Sequence, residues 1–185
     1  MPDFQPWRNP RPAPHLPEIQ AHLRPPRVPP WLRAWWPAVL WAGVIFSMST
    51  DTFSAQHTAS VIEPVLRWMI RSLTESQFSR IHYFIRKSAH FTEYFVFCLL
   101  LYRGVRRERK GWRWTWGVAA LFCAAGYSVL DEIHQAFVAS RTASAYDSLL
   151  DSIGAFAAFV VLWMWFRRRR SAREAEIAAS DAPSA

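Results

Sequence analysis

Residues 148–166 read SLLDSIGAFAAFVVLWMWF, and four arginines follow directly at positions 167–170. An α-helix of this length can cross the roughly 30 Å of hydrocarbon in a bilayer, and Asp151 is the only charged residue within the stretch. A long apolar helix that ends at a block of positive charge is typical of a membrane span that stops at the cytoplasmic face. The stretch therefore predicts that the chain is held in a membrane.

Three earlier stretches have a similar apolar character, and they cover residues 34–50, 88–102 and 112–130. The competing interpretation is a soluble protein with buried helices. One core would then have to hide four long apolar stretches within 185 residues. We therefore expect an all-α membrane fold, a four-helix transmembrane bundle that occupies residues 34–166.

The distribution of Lys and Arg predicts the orientation of this bundle. If the N-terminus is cytoplasmic, five of these residues lie in the tail through Arg33, six between Arg103 and Arg113, and five between Arg167 and Arg173, all on the cytoplasmic side. Six remain outside. Because cytoplasmic segments carry an excess of Lys and Arg, we expect both termini in the cytoplasm.

The two ends of the chain differ from the bundle in composition. Residues 1–30 contain ten of the thirteen prolines, a composition that can bury little apolar surface. We expect residues 1–33 to be a disordered Pro/Arg-rich cytoplasmic tail without a signal peptide, and residues 167–185 to be a basic and then disordered cytoplasmic tail. The chain has a pI of about 10.3, yet its basic clusters adjoin apolar helices, so we expect no nucleic acid as a partner.

The first outer loop carries its own pattern. Between Val61 and Leu73, large apolar residues recur at helical spacing, with Glu63, Arg67 and Arg71 between them. This pattern predicts one or two short amphipathic helices, which lie either on the outer membrane surface or across the top of the bundle.

Polar residues collect where three of the predicted helices reach the outer face. An ionisable residue costs about 3 kcal/mol at the centre of a spanning helix, so these residues must face one another or a wet cavity. A functional site is one explanation, and a structural polar plug that fixes the helix register is the other. The set comprises Lys87, His90, Glu93 and Tyr94 on the second helix, Asp131, Glu132, His134 and Gln135 on the third, and Arg141, Ser144, Asp147 and Asp151 at the start of the fourth.

The fourth stretch also carries small residues on the face of Asp151, namely Gly154, Ala155 and Ala158. Small residues let a neighbouring helix approach closely. The sequence thus predicts tight helix packing just below the polar cluster.

The cluster holds five carboxyl groups against Lys87 and Arg141. Uncompensated negative charge is costly at low dielectric, so carboxyl protonation, histidine protonation, a contribution from Arg86 or His82, or a bound cation must offset it. We expect the guanidinium of Arg141 to pair with at least one nearby carboxylate, because a planar bidentate donor suits such a pocket. The four candidate carboxylates are Asp131, Glu132, Asp147 and Asp151.

The same groups leave two kinds of chemistry open. Histidine and carboxylate side chains are suitable ligands for zinc or another divalent metal, although no HExxH motif or comparable spacing is present. They could also supply a general acid and a general base. We expect no cofactor, and no residue is assigned a catalytic role. Whether the cluster binds a metal stays open.

Three motifs carry a resemblance to a known family. They are K-x-x-H-x-x-x-Y at residues 87–94, D-E-x-H-Q-x-F at 131–137, and R-x-x-S-x-x-D-x-x-x-D-x-x-G at 141–154. With these motifs the chain resembles the VanZ-like family of bacterial integral membrane proteins. The resemblance implies a multi-pass protein of the bacterial cytoplasmic (inner) membrane. The family takes its name from a protein associated with low-level resistance to teicoplanin, a lipidated glycopeptide, and no reaction is assigned to it.

The function that we favour from the sequence is a VanZ-like protein of the cell envelope whose outer-face polar pocket recognises a lipid-linked or amphiphilic ligand. Its expected partners are membrane lipid and either a lipid-linked envelope precursor or an amphiphilic antibiotic. The alternative is a membrane-embedded hydrolase or transferase acting on a lipid-linked envelope substrate, with His90 or His134 as the general base. A transporter fits least well, because four helices show no inverted repeat of discontinuous segments. The sequence does not set the oligomeric state.

Overall fold

A computed structural model describes residues 28–50, 55–138 and 144–180 of the chain. Within these ranges the structure consists of helices and short connections, without a strand, which confirms the all-α prediction. Most of the predicted N-terminal tail and Arg141 lie outside the described residues. The five helices are α1 (Pro30–Met48), α2 (Ala55–Met69), α3 (Glu75–Arg106), α4 (Trp114–Gln135) and α5 (Ala145–Ser180).

Two of the described helices, α4 and α5, are long and apolar enough to cross a membrane. The other two predicted spans, α1 and α3, do not meet the same test. Helix α1 contains Arg33, four tryptophans and two prolines, which lower its hydropathy. Helix α3 carries ionisable residues through its first half. A bundle of four spanning helices therefore stays a prediction.

Helix α3 begins well before the predicted start at residue 88. Thr74 forms a capping box with Gln77: its hydroxyl accepts from the Gln77 amide at 3.3 Å, and its own amide donates to Gln77 Oε1 at 3.0 Å. This satisfies two backbone groups at the helix start. Lys87 and His90 consequently lie inside a continuous helix instead of in its first turns.

Helix α5 continues to Ser180 and so extends into the predicted tail of residues 167–185, part of which is expected to be disordered. Residues 171–180 contain four Ala and two Glu, which have high helix propensity. Arg170 also donates to Glu174 at 2.8 Å, an i,i+4 pair that supports an exposed helix.

The amphipathic helix predicted in the first loop is present as α2. Its polar side lies against the first turns of α3, where Thr58 Oγ1 is 3.2 Å from His82 Nε2 and Arg67 pairs with Glu75. The two helices therefore run antiparallel, side by side. Several large apolar side chains of α2, including those of Val61 and Trp68, are exposed.

Helix α3 is the centre of the bundle and packs against α1, α4 and α5. The closest approach is to α5, because a Cβ atom added to Gly154 would collide with the backbone carbonyl of Phe91. Ala155 and Ala158 on the same face are fully buried. The predicted tight packing on this face is confirmed.

The helices of the bundle begin and end at two common levels. We call the first level the polar end. There Gln135 of α4 bonds to Ser49, the residue that follows α1, and Lys87 of α3 pairs with Asp147 of α5. At the second, the basic end, Arg103 of α3 donates to the carbonyl oxygen of Arg33 at 3.0 Å. Arg106 lies over Phe166 of α5 at this same end. Because α3 and α5 approach each other at both ends in the same residue order, they run parallel.

Candidate functional site

Two contacts between α3 and α5 form the centre of the polar end. Lys87 Nζ donates to Asp147 Oδ1. One turn further into the bundle, His90 Nδ1 lies 3.4 Å from Asp151 Oδ1. The side chain of Asp151 is 0% exposed, whereas that of Lys87 is 25% exposed. The outer pair is thus partly wet and the inner pair is enclosed by helices.

Helix α4 supplies the third side of this centre through Ser128. Its hydroxyl oxygen lies 3.0 Å from Asp151 Oδ2 and 3.0 Å from the hydroxyl of Ser148. A serine hydroxyl carries one proton, so it can donate to the carboxylate while it accepts from the second hydroxyl. Asp151 is therefore held by side chains from two other helices.

A second buried carboxylate, Asp131, lies on α4 near the end of α1. Gln135 Nε2 donates to Asp131 Oδ2 at 3.0 Å and lies 3.3 Å from Ser49 Oγ. All three side chains are buried. The carboxamide of Gln135 thereby links α4 to the residue that follows α1.

Glu132 reaches across to the start of α5. Its Oε2 accepts a hydrogen bond of 2.7 Å from the backbone amide of Ser144. The Ser144 carbonyl in turn accepts from the amide of Asp147 at 2.9 Å. A carboxylate near a helix N-terminus is favoured by the helix dipole, so Glu132 fixes the position at which α5 begins.

The remaining predicted residues have different surroundings. His134 stacks on Phe46, with ring centroids 4.6 Å apart. Tyr94 is completely buried between the helices. Glu93 is half-buried, and its backbone carbonyl accepts from Trp41 Nε1 at 3.0 Å. The structure therefore brings eleven of the twelve predicted residues to one end of the bundle, and the twelfth, Arg141, lies outside the described residues.

Several buried polar atoms at this end have no hydrogen-bond partner among the described residues. Buried polar groups are nearly always paired with protein or water, so such a concentration calls for a water, an ion or a ligand. Within the described ranges, no group of three or more His, Cys, Asp or Glu residues is arranged to hold a metal ion. These atoms are Tyr94 OH, Glu132 Oε1 and His134 Nδ1, together with His90 Nδ1 and Asp151 Oδ1, which contact each other at 3.4 Å without hydrogen-bond geometry.

Two contributors to the site are absent from the sequence prediction. Ser128 lies three residues before Asp131, so its helical phase could have shown that it shares the polar face of α4. Ser49 follows α1, and nothing in its local sequence shows that Gln135 would bond to it. Partner choice of this kind depends on the packing of helices that are distant in sequence.

Together these features define a helical bundle with two helices suited to a membrane and a polar cluster at one end. A model of the VanZ/LLP1 family matches residues 34–167. The chain belongs to the VanZ/LLP1 family, and the family prediction from the three motifs is confirmed. No match was found to a curated protein or to a solved structure.

Proposed function

We propose that the chain is a multi-pass membrane protein of the cell envelope whose polar end binds the polar part of an amphiphilic or lipid-linked molecule. One observation carries this proposal. Buried polar atoms of α3 and α4, among them Tyr94 OH and Glu132 Oε1, lie there without hydrogen-bond partners among the described residues. An unpaired buried polar group costs about 1 to 3 kcal/mol. A ligand that satisfies several of them recovers that cost.

The proposal includes a bundle of four spanning helices in the bacterial cytoplasmic membrane, with the basic end and both termini in the cytoplasm. The contacts of α1 support this. At the basic end, the carbonyl oxygen of Arg33 in α1 accepts a hydrogen bond from Arg103 of α3. At the polar end, Ser49, which follows α1, bonds to Gln135 of α4. A helix that shares both ends with α4 and α5, which are suited to span, is expected to cross the same layer. The excess of Lys and Arg at the basic end supports the orientation.

The chemistry of the unpaired atoms supports a particular kind of ligand. Asp151 Oδ1 and Glu132 Oε1 can accept hydrogen bonds, and the Tyr94 hydroxyl can donate or accept. A group with several hydroxyl or amine donors fits this set better than a phosphate, which would meet carboxylates. The long exposed apolar flanks of the helices suit an acyl or polyprenyl chain. The resemblance to a family named for teicoplanin resistance also favours an amphiphilic ligand.

The alternative of a membrane hydrolase or transferase receives less support from the geometry. A hydroxyl nucleophile requires a general base within hydrogen-bond reach. The Ser128 hydroxyl lies against the carboxylate of Asp151, while His90 lies on the other oxygen of that carboxylate. The imidazole therefore does not contact the hydroxyl, and the arrangement favours binding.

Tyr94 offers a direct test of ligand binding. Its hydroxyl makes no hydrogen bond within the described structure, so Tyr94→Phe should leave the stability of the protein unchanged or slightly raised. If the hydroxyl serves the ligand, the same variant should bind several-fold more weakly, because one neutral hydrogen bond contributes about 1 kcal/mol. The matched control is Tyr83→Phe on the same helix, where the ring is exposed.

The experiment uses the full chain in lipid nanodiscs and measures binding of teicoplanin and of its deacylated form by isothermal titration calorimetry. We expect saturable binding of the acylated form, weakened in Tyr94→Phe and unchanged in Tyr83→Phe. The proposal is wrong if the wild-type chain binds neither form, or if both variants bind as tightly as the wild type.

A further inference from the structure

We propose that the basic end carries a binding site for the headgroups of anionic phospholipids, formed by the connection between α3 and α4 together with α5. The site is separate from the polar end and does not depend on its function. Six Lys and Arg residues lie between positions 103 and 113 and five between 167 and 173, against the acids Glu108, Glu174 and Glu176. Among the described residues at this end, Arg170–Glu174 is the one ion pair. Most of this positive charge is therefore available to an external anion.

Aromatic rings lie beneath five of the guanidinium groups at this end, those of Arg106, Arg109, Arg113, Arg167 and Arg169. Arg109 and Arg113 both lie over the ring of Trp116, with Cζ 5.6 Å and 5.3 Å from its centroid. Arg106 lies over Phe166 at 5.6 Å. Each contact is a cation–π interaction, which restrains a long side chain without using its hydrogen-bond donors. The donors of these arginines are thus oriented before a ligand arrives.

The rings themselves belong to a tightly packed layer. Tyr102 of α3 stacks on Trp112 at 5.3 Å, and Trp112 lies 5.9 Å from Phe166 of α5. A Cβ atom added to Gly117 would lie 2.5 Å from Trp112, which shows how closely that ring covers the start of α4. Because the layer is well packed, the arginines that rest on it are held at a fixed level of the bundle.

That level corresponds to the headgroup region of a bilayer. The two helices suited to span reach it at Trp114 and at Phe166, next to Arg113 and Arg167. Exposed tryptophans such as Trp114 prefer the membrane interface. A guanidinium matches phosphate with two parallel hydrogen bonds, and anionic lipids attract basic segments close to a span. Free phosphate and nucleic acid offer the same charge, but they lack the acyl chains that would lie along the exposed apolar sides of α4 and α5.

The test compares two triple variants that remove the same charge from opposite ends of the bundle. Arg106→Gln/Arg109→Gln/Arg113→Gln removes the arginines on the aromatic layer, and Arg71→Gln/Arg80→Gln/Arg86→Gln is the control. The full chain is placed in mixed micelles with phosphatidylglycerol and phosphatidylcholine, and bound lipids are counted by native mass spectrometry. We expect the wild type and the control to retain phosphatidylglycerol selectively. The first triple variant should bind it on the order of 100-fold more weakly, since each basic residue near an anionic surface contributes roughly fivefold.

Three further measurements, one on a lysine variant and two with competing anions, distinguish lipid binding from misfolding and from general anion binding. Arg106→Lys/Arg109→Lys/Arg113→Lys keeps the charge and should retain most of the selectivity, which separates lost binding from misfolding. Inorganic phosphate and a short DNA duplex, each added at the lipid concentration in 150 mM salt, should not displace phosphatidylglycerol. Equal retention of both lipids by the wild type, equal losses in the two glutamine variants, or displacement by phosphate or DNA would each overturn the proposal.

Discussion

The polar end and the basic end of the bundle carry charge in opposite ways. At the polar end, carboxylates are buried between helices and are held by specific partners, as Asp151 is by Ser128 and His90. At the basic end, guanidinium groups such as those of Arg109 and Arg113 lie on an aromatic ring near the surface. We therefore expect the polar end to be sensitive to single substitutions, whereas the basic end should respond mainly to the total charge that is removed.

The largest effect is expected for Arg141→Ala at the polar end. Arg141 lies outside the described residues, so its pairing with a carboxylate remains a prediction from the sequence. If the partner is buried, loss of the guanidinium leaves an unpaired charge, and the free energy of unfolding should fall by roughly 3 to 5 kcal/mol. Arg141→Lys should recover only part of this. Denaturant unfolding in mixed micelles measures both. A loss no greater than that of a single arginine at the basic end would remove the contrast between the two ends.

The next largest effect is the loss of stability when Gly154 or Gly117 is replaced by alanine. A Cβ at Gly154 meets the backbone of Phe91, whereas a Cβ at Gly117 meets the side chains of Trp112 and Phe159. Backbone cannot move aside as a side chain can, so Gly154→Ala should destabilise the protein by about 3 kcal/mol and Gly117→Ala by about 1 kcal/mol. Gly126→Ala is the control, because nothing lies within 4 Å of its added Cβ. Thermal melting of the three variants in one detergent ranks them. Equal melting temperatures for Gly154→Ala and Gly126→Ala would contradict the close approach of α3 and α5.

A smaller effect concerns the ion pairs. Lys87–Asp147 at the polar end has side chains 25% and 16% exposed, while Arg170–Glu174 at the basic end has side chains 83% and 61% exposed. Double-mutant cycles to alanine should give a coupling energy above about 1 kcal/mol for the first pair and a clearly smaller one for the second, since solvent screens exposed charges. High salt should reduce the second further. The same coupling energy for both pairs would show that the polar end is as wet as the basic end.

The sequence predicts much of the polar end because the residues that form it recur with helical phase. Lys87 and His90 on one helix and Asp147 and Asp151 on another show a shared face without any structure. The sequence does not predict that Lys87 pairs with Asp147 and His90 with Asp151, because the offset between two helices along their axes depends on their packing. Here that offset follows from the contact of Gly154 with the backbone of Phe91.

The helix boundaries were harder to predict for a different reason. The apolar stretch predicts a start of α3 at residue 88, whereas Thr74 and Gln77 form a capping box upstream and the helix begins there. Hydropathy marks the part of a helix that fits a membrane and not the helix itself. For the same reason α5 extends to Ser180, because residues with high helix propensity continue after the apolar stretch has ended.

A crystal structure of the full chain from a lipidic phase, at a resolution that shows ordered water, tests whether the polar end binds a ligand. We predict density for water or for a ligand headgroup within about 3 Å of the Tyr94 hydroxyl and of Asp151 Oδ1. Pairing of Arg141 with Glu132 or Asp147 would be compatible with this result. If side chains of the protein occupy every hydrogen-bonding position around Tyr94 and Asp151, and no other density lies there, the polar end is a structural plug and the proposed binding site does not exist.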